Sequence, residues 1–132
     1  MTGNAFSSEP ELIQGGMGVG VSGWRLARAV AAAGHLGVVS GTALDVQLAR
    51  RLQLGDLAGD LRRSLARFPY QELVDRVMRR YFVPGGIAPG ERFAEVPRHT
   101  LKPSRDLLRL NVLASFVEVD LAREGHGGAV GI

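Results

Sequence analysis

The chain has 132 residues, enough for one domain, and its 45% hydrophobic content can fill an ordinary core. Cysteine is absent, which excludes disulfides, thiolate metal sites and thiol nucleophiles and suits a reducing cytoplasm. The net charge of +3 and pI near 10.2 raise the question of nucleic acid, but residues 43–80, with eight arginines and five acids, carry the whole surplus. There Asp56, Asp60, Glu72 and Asp75 interrupt the arginines, so the stretch reads as solvated helix faces rather than the one-signed stripe of a nucleic-acid footprint. No apolar run reaches 18 residues, and MTGNAFSSEPE has neither a basic nor an apolar leader segment, so neither a membrane span nor a signal peptide is expected.

The first structured stretch is residues 12–24, LIQGGMGVGVSGW. Leu12 and Ile13 read as a short buried strand that Gln14 ends, and Gly15, Gly16, Gly18 and Gly20 follow within six positions, where the backbone must bend and a ligand can approach it. Ser22 is placed to cap a helix opening at Gly23 and Trp24. A helix N-terminus behind a bare loop offers amide donors and a positive dipole end, which suits a phosphate or the electron-rich edge of a flavin. A parallel strand-to-helix turn can also use such glycines for geometry alone.

Trp24, Ala27, Val30 and Ala31 have helical spacing and Gly34 occupies a C′ position, so helix one ends there. LGVVS, residues 36–40, reads as a second buried parallel strand, completing a βαβ unit. Three amphipathic helices follow: one on Leu44, Leu48 and Leu52, one on Leu57, Leu61, Leu65 and Phe68, and one on Leu73, Val74, Val77, Met78, Tyr81 and Phe82, with breaks near Gly55 and Pro69. Residues 83–103, rich in proline and glycine, form an irregular connection of the length often used for lids. Residues 104–124 read as a long helix with Ser104 as N-cap and Gly125 at C′, and AVGI, residues 129–132, opens a third strand.

Gly18, Gly20 and Gly23 match the GxGxxG spacing of dinucleotide-binding folds, but the end of strand two carries Ser40, Gly41 and Thr42 where a ribose-binding acid belongs, and Asp45 falls inside the next helix. His35, His99 and His126 are dispersed, without carboxylates at ligand spacing, so no metal site is expected. GVSGW is not a GxSxG nucleophile motif, and no acid–histidine partnership is visible in the sequence.

The stretch LIQGGMGVGVSGWRLARAVAAAGHLGVVSGTALD resembles the opening of the FMN-dependent nitronate monooxygenase family, formerly called 2-nitropropane dioxygenases, whose relatives include a flavin-dependent enoyl reductase. The strand ending in QGGM, the Ala-rich helix and AGHLGVVS carry the likeness, and RYFVPGG, LKPS and LAREGHGGAVGI extend it along a long-insert branch. The resemblance implies an α/β fold: the N-terminal portion of a (β/α)8 TIM barrel spanning residues 1–132, with a helical and loop insertion at 43–103 after strand two. Such barrels need about 250 residues, so the chain is expected to supply roughly the first third and to be inactive alone. FMN is the implied cofactor. Gly15, Gly16, Met17 and Gly18 would lie beside the flavin ring, with Ser40 and Thr42 as neighbours at the end of strand two. A small-molecule substrate and dioxygen are the implied partners, and the family's catalytic residues would lie beyond Ile132. Two other readings remain open: an enoyl reductase-like flavoenzyme on the same scaffold, and a non-catalytic helical and βαβ interaction module.

Overall fold

The structure, a computed structural model, describes residues 9–132; the polar stretch 1–8 lies outside the described residues. The described residues form a small α/β fold with five helices and a three-stranded parallel sheet. The elements are β1 (Ile13–Gln14), α1 (Trp24–Ala32), β2 (Leu36–Val38), α2 (Leu44–Gln53), α3 (Asp60–Leu65), α4 (Gln71–Tyr81), α5 (Arg105–Arg123) and β3 (Val130–Gly131). Among the described residues no helix is long and apolar enough to cross a membrane. The chain divides into two compact units, one formed by the described residues up to Thr42 with Glu118–Ile132, the other by Ala43–Val117.

In the first unit β2 is central, with β1 and β3 each parallel to it; Ile13 pairs with Leu36 and Gly37 with Val130. Its small core gathers Ala27, Val39 and Ala122, with Trp24 and Val130 packed against them. Small residues set how closely α1 lies on the strands. A Cβ on Gly37 would fall on the backbone of Ala27, and one on Gly128 on the carbonyl of Ala31. The C-terminus of α1 is closed by paired backbone bonds, Gly34 N–H to Ala31 O at 3.1 Å and His35 N–H to Val30 O at 3.2 Å, with Gly34 at φ +91°. This is the left-handed glycine stop expected at that position.

His126 sits in the turn after α5. Its Nε2 lies 2.6 Å from the carbonyl of Ala122 and its Nδ1 accepts the N–H of Gly128 at 2.9 Å. That pattern selects the neutral tautomer with the proton on Nε2, and gives this histidine a turn-forming role.

In the second unit Leu44, Leu48, Leu52, Leu61, Leu65, Phe68, Val74, Val77 and Tyr81 are buried, so the apolar stripes of three successive helices supply the core. Leu57 departs from that pattern: it lies in the α2–α3 turn and is 80% exposed, because the chain there is not yet helical. Asp56 closes the start of α3 from outside the helix, its carboxylate accepting the N–H groups of Leu61 and Arg62 at 3.1 and 3.0 Å. Ser104 caps α5 through the N–H of Leu107, and Leu107, Leu110, Leu113, Ala114 and Val117 are buried along it.

The connection at 83–103 is pinned to α2. Val83 N–H bonds Leu52 O, Ile87 N–H bonds Gln53 O, and Ala94 N–H reaches Gln53 Oε1 at 2.7 Å. Gly55 and Gly86 make this possible: a Cβ on Gly55 would meet Gly86 N at 2.6 Å, and one on Gly86 would meet Leu54 O at 2.8 Å. Farther along, His99 Nε2 lies 3.0 Å from Asp45 Oδ2. This is a carboxylate–histidine pair across 54 residues that is not visible in the sequence. Asp45 is buried while His99 is largely exposed, so the pair holds the far end of the connection against α2.

Candidate functional site

The glycine loop leaves β1 at the C-terminal end of the parallel sheet, the end at which open α/β folds bind ligands. Gln14 does more than end the strand. Its side-chain amide continues the ladder, Oε1 accepting Val38 N–H and Nε2 donating to Val38 O, both at 3.2 Å. The same Nε2 lies 2.6 Å from Gly15 O and 3.1 Å from Ser22 Oγ. One residue therefore ties β1, β2 and the loop.

Ser22 is the second hub, and here the structure corrects the expected cap. Gly23 occupies the N-cap position of α1, without a side-chain bond. The Ser22 hydroxyl instead accepts Met17 N–H at 2.9 Å and lies 3.3 Å from Gly15 O, while Ser22 N–H bonds Met17 O. Ser22 is 1% exposed, so the hydroxyl organises the loop from beneath. Gly18 and Gly20, at φ +59° and +71°, take the left-handed backbone the turn requires.

The two strand ends meet. Ser40 N–H bonds Ser22 O at 2.9 Å, and a Cβ on Gly16 would come within 3.0 Å of Val39 O and 3.1 Å of Ser40 Cα. Gly16 is thus a close-packing glycine. Gly15 is different: a Cβ there meets nothing within 4 Å, and its backbone is open. Ser40 is buried, its Oγ accepting Thr42 N–H at 3.4 Å, and Thr42 is exposed. The structure therefore brings Gly15, Gly16, Met17 and Gly18 into one exposed loop beside Ser40, with Thr42 two residues on. Met17, Val19 and Val21 expose apolar side chains on that loop, Met17 at 60%.

One donor of the helix N-terminus behind the loop is already taken. Glu118, a buried residue of α5, accepts Trp24 N–H with Oε2 at 2.8 Å. A carboxylate here supplies the anion that the helix dipole favours, which counts against a phosphate at the same place and against a pyrophosphate at the GxGxxG spacing of Gly18, Gly20 and Gly23. The sequence did not point to Glu118, which is remote from the loop and lies on a helix chosen by its apolar period.

No protein-family model, curated protein or solved structure matches the chain. What the loop can do therefore rests on its own chemistry. Its exposed main chain, small residues and apolar rim fit one face of a flat, mostly apolar ring, and the anion-binding capacity of the adjacent helix is taken by Glu118.

Proposed function

We propose that the chain belongs to an FMN-dependent oxidoreductase of the nitronate monooxygenase type, in which the βαβ unit and β3 are the opening strands of a (β/α)8 barrel. The observation that carries the reading is the open backbone at Gly15, at the C-terminal end of β1 and rimmed by exposed Met17, Val19 and Val21. A barrel of parallel strands holds its ligands at that end. The parallel order β1-β2-β3 and the meeting of the loop with Ser40 are consistent with a shared site across the first two strands.

Flavin, when bound, supplies the electron transfer and the reaction with dioxygen, while the protein supplies position and hydrogen bonds. In this reading the main chain of Gly15, Gly16, Met17 and Gly18 holds the ring, and Ser22 and Gln14 keep that main chain rigid from below. Ser40 acts through its backbone contact with Gly16, and Thr42 stands at the rim. Because Glu118 occupies the α1 N-terminus, the phosphate of FMN would be held by other groups of the full-length protein.

The test is flavin binding followed by reduction. The full-length protein should quench FMN fluorescence, and anaerobic addition of propane-2-nitronate should bleach the flavin band, with recovery on admitting air. Reoxidation of the reduced flavin by an enoyl thioester, without bleaching by nitronates, would favour the enoyl reductase-like alternative. A full-length protein that binds no FMN would overturn the proposal.

A further inference from the structure

Helix α4 carries Arg76, Arg79 and Arg80, and α5 brings Arg109 to the same place; together they line a cleft of about 210 Å³. Like charges at helical spacings of three and four repel, and among the described residues one carboxylate answers them: Asp106 lies 3.1 Å from Arg109 Nη1 and 3.6 Å from Arg80 Nη1. Arg76 and Arg79 have no ion pair or hydrogen bond among the described residues. Two forked guanidinium groups thus stand free beside a third and fourth that share one acid.

A second cavity, of about 500 Å³, adjoins the first through Arg76 and Arg109, which line both. Its wall includes Tyr70, a residue 68% exposed whose ring lies edge-on against buried Phe68 at 6.0 Å between centroids. Glu72 lies on the same wall, so negative charge on a ligand is confined to the arginine end. A rigid exposed aromatic beside an arginine cleft is the combination that stacks a base and binds the attached phosphates.

We propose that this cleft binds a nucleoside phosphate, with Arg76 and Arg79 gripping the phosphate groups and Tyr70 stacking the base. It lies wholly in the 43–117 unit and is independent of the flavin reading. The experiment is calorimetric titration of the full chain at physiological salt with ADP, pyrophosphate and adenosine. ADP should bind more tightly than pyrophosphate, and adenosine alone should not bind measurably. Arg76→Ala and Arg79→Ala should each weaken ADP by about tenfold or more, the cost of losing a charge-assisted hydrogen bond. Tyr70→Ala should weaken ADP by about tenfold, as loss of one stacked base does, and leave pyrophosphate unchanged. The conservative variants Arg76→Lys and Arg79→Lys keep the charge but not the fork, and should lose affinity with the fold intact by circular dichroism. ADP binding that is absent, or that these substitutions leave unchanged, overturns the proposal. So does a single-stranded oligonucleotide that the same arginines bind more tightly than ADP, since the surface would then be a polymer groove.

Discussion

The Glu118 carboxylate accepts the backbone N–H of Trp24 at 2.8 Å, joining α5 to the first turn of α1 across 94 residues. It does for α1 what a local Ser or Asp cap does elsewhere, from a partner reached only through the fold. Glu118→Ala should therefore cost about 1–2 kcal/mol, the loss of a cap bond with a helix donor left buried. Glu118→Gln keeps an acceptor and should cost less. Urea denaturation checks both; an unchanged midpoint for Glu118→Ala would show that the bond contributes nothing.

The glycines of the βαβ unit differ in what a side chain would meet. At Gly37 a Cβ would lie 2.8 Å from Ala27 Cα and closer still to its carbonyl, so Gly37→Ala must push α1 off β2. The expected loss is about 3 kcal/mol or more, at or beyond the upper end of overpacking costs. At Gly34 nothing lies within 4 Å, but φ is +91°, so Gly34→Ala should cost only about 1 kcal/mol of backbone strain. Equal losses at the two positions would contradict the close approach of helix to strand.

Signals confined to a few residues were legible in the sequence. Gly34 and Gly125 stop their helices with positive φ, Ser104 caps α5, and the breaks near Gly55 and Pro69 separate α2, α3 and α4. The presence of three short strands, the first two as a parallel βαβ unit, is also legible from apolar runs set between helical periods; their order in the sheet comes from the structure. Ser22 is not the cap its position suggests because capping and loop-holding ask for the same hydroxyl; the choice depends on Gln14, Met17 and Glu118, of which Glu118 is 96 residues from Ser22 along the chain. Asp45 and His99 meet only because Gln53, Gly55 and Gly86 fold the connection back onto α2, a route that no spacing rule encodes. The glycine loop could be located from its composition, but the difference between packed Gly16 and open Gly15 appears only once Ser40 is in place.

Tyr81 is buried and its hydroxyl has no hydrogen-bond partner among the described residues. Burial raises its pKa above the ordinary phenol value, with Asp106 and Asp45 adding to the rise and Arg80 opposing it. The folded state therefore resists ionisation that the unfolded chain undergoes at about pH 10. Stability from this group is fully present below that pH and is lost as pH climbs toward the raised folded value. Tyr81→Phe removes both the unpaired hydroxyl and the titration. It should be neutral or stabilising by up to about 1 kcal/mol at pH 7, and should flatten the decline of melting temperature above pH 10. A variant clearly less stable than the parent would mean the hydroxyl has a partner in solution.

Gly15 separates ligand binding from folding more cleanly than its neighbours. Substitution at Gly16 drives a Cβ against Val39 O and Ser40 Cα, and at Gly18 it meets both positive φ and the Val21 side chain at 3.1 Å, so loss of flavin in either variant could follow from a displaced loop. Gly15 has open space where a side chain would go and no positive φ. Gly15→Val should therefore leave the melting temperature almost unchanged. If a flavin ring lies on this backbone, the isopropyl group stands between ring and main chain, and FMN affinity should fall by about tenfold or more, as blocking one face of a packed contact costs of order 1–3 kcal/mol. Gly34→Val, away from the loop, should do the opposite, lowering stability while sparing FMN affinity in the folded fraction. Fluorescence titration of FMN beside thermal melts reads both quantities. A stable Gly15→Val protein that keeps its full FMN affinity would leave the loop as a structural turn and remove the flavin from this end of β1.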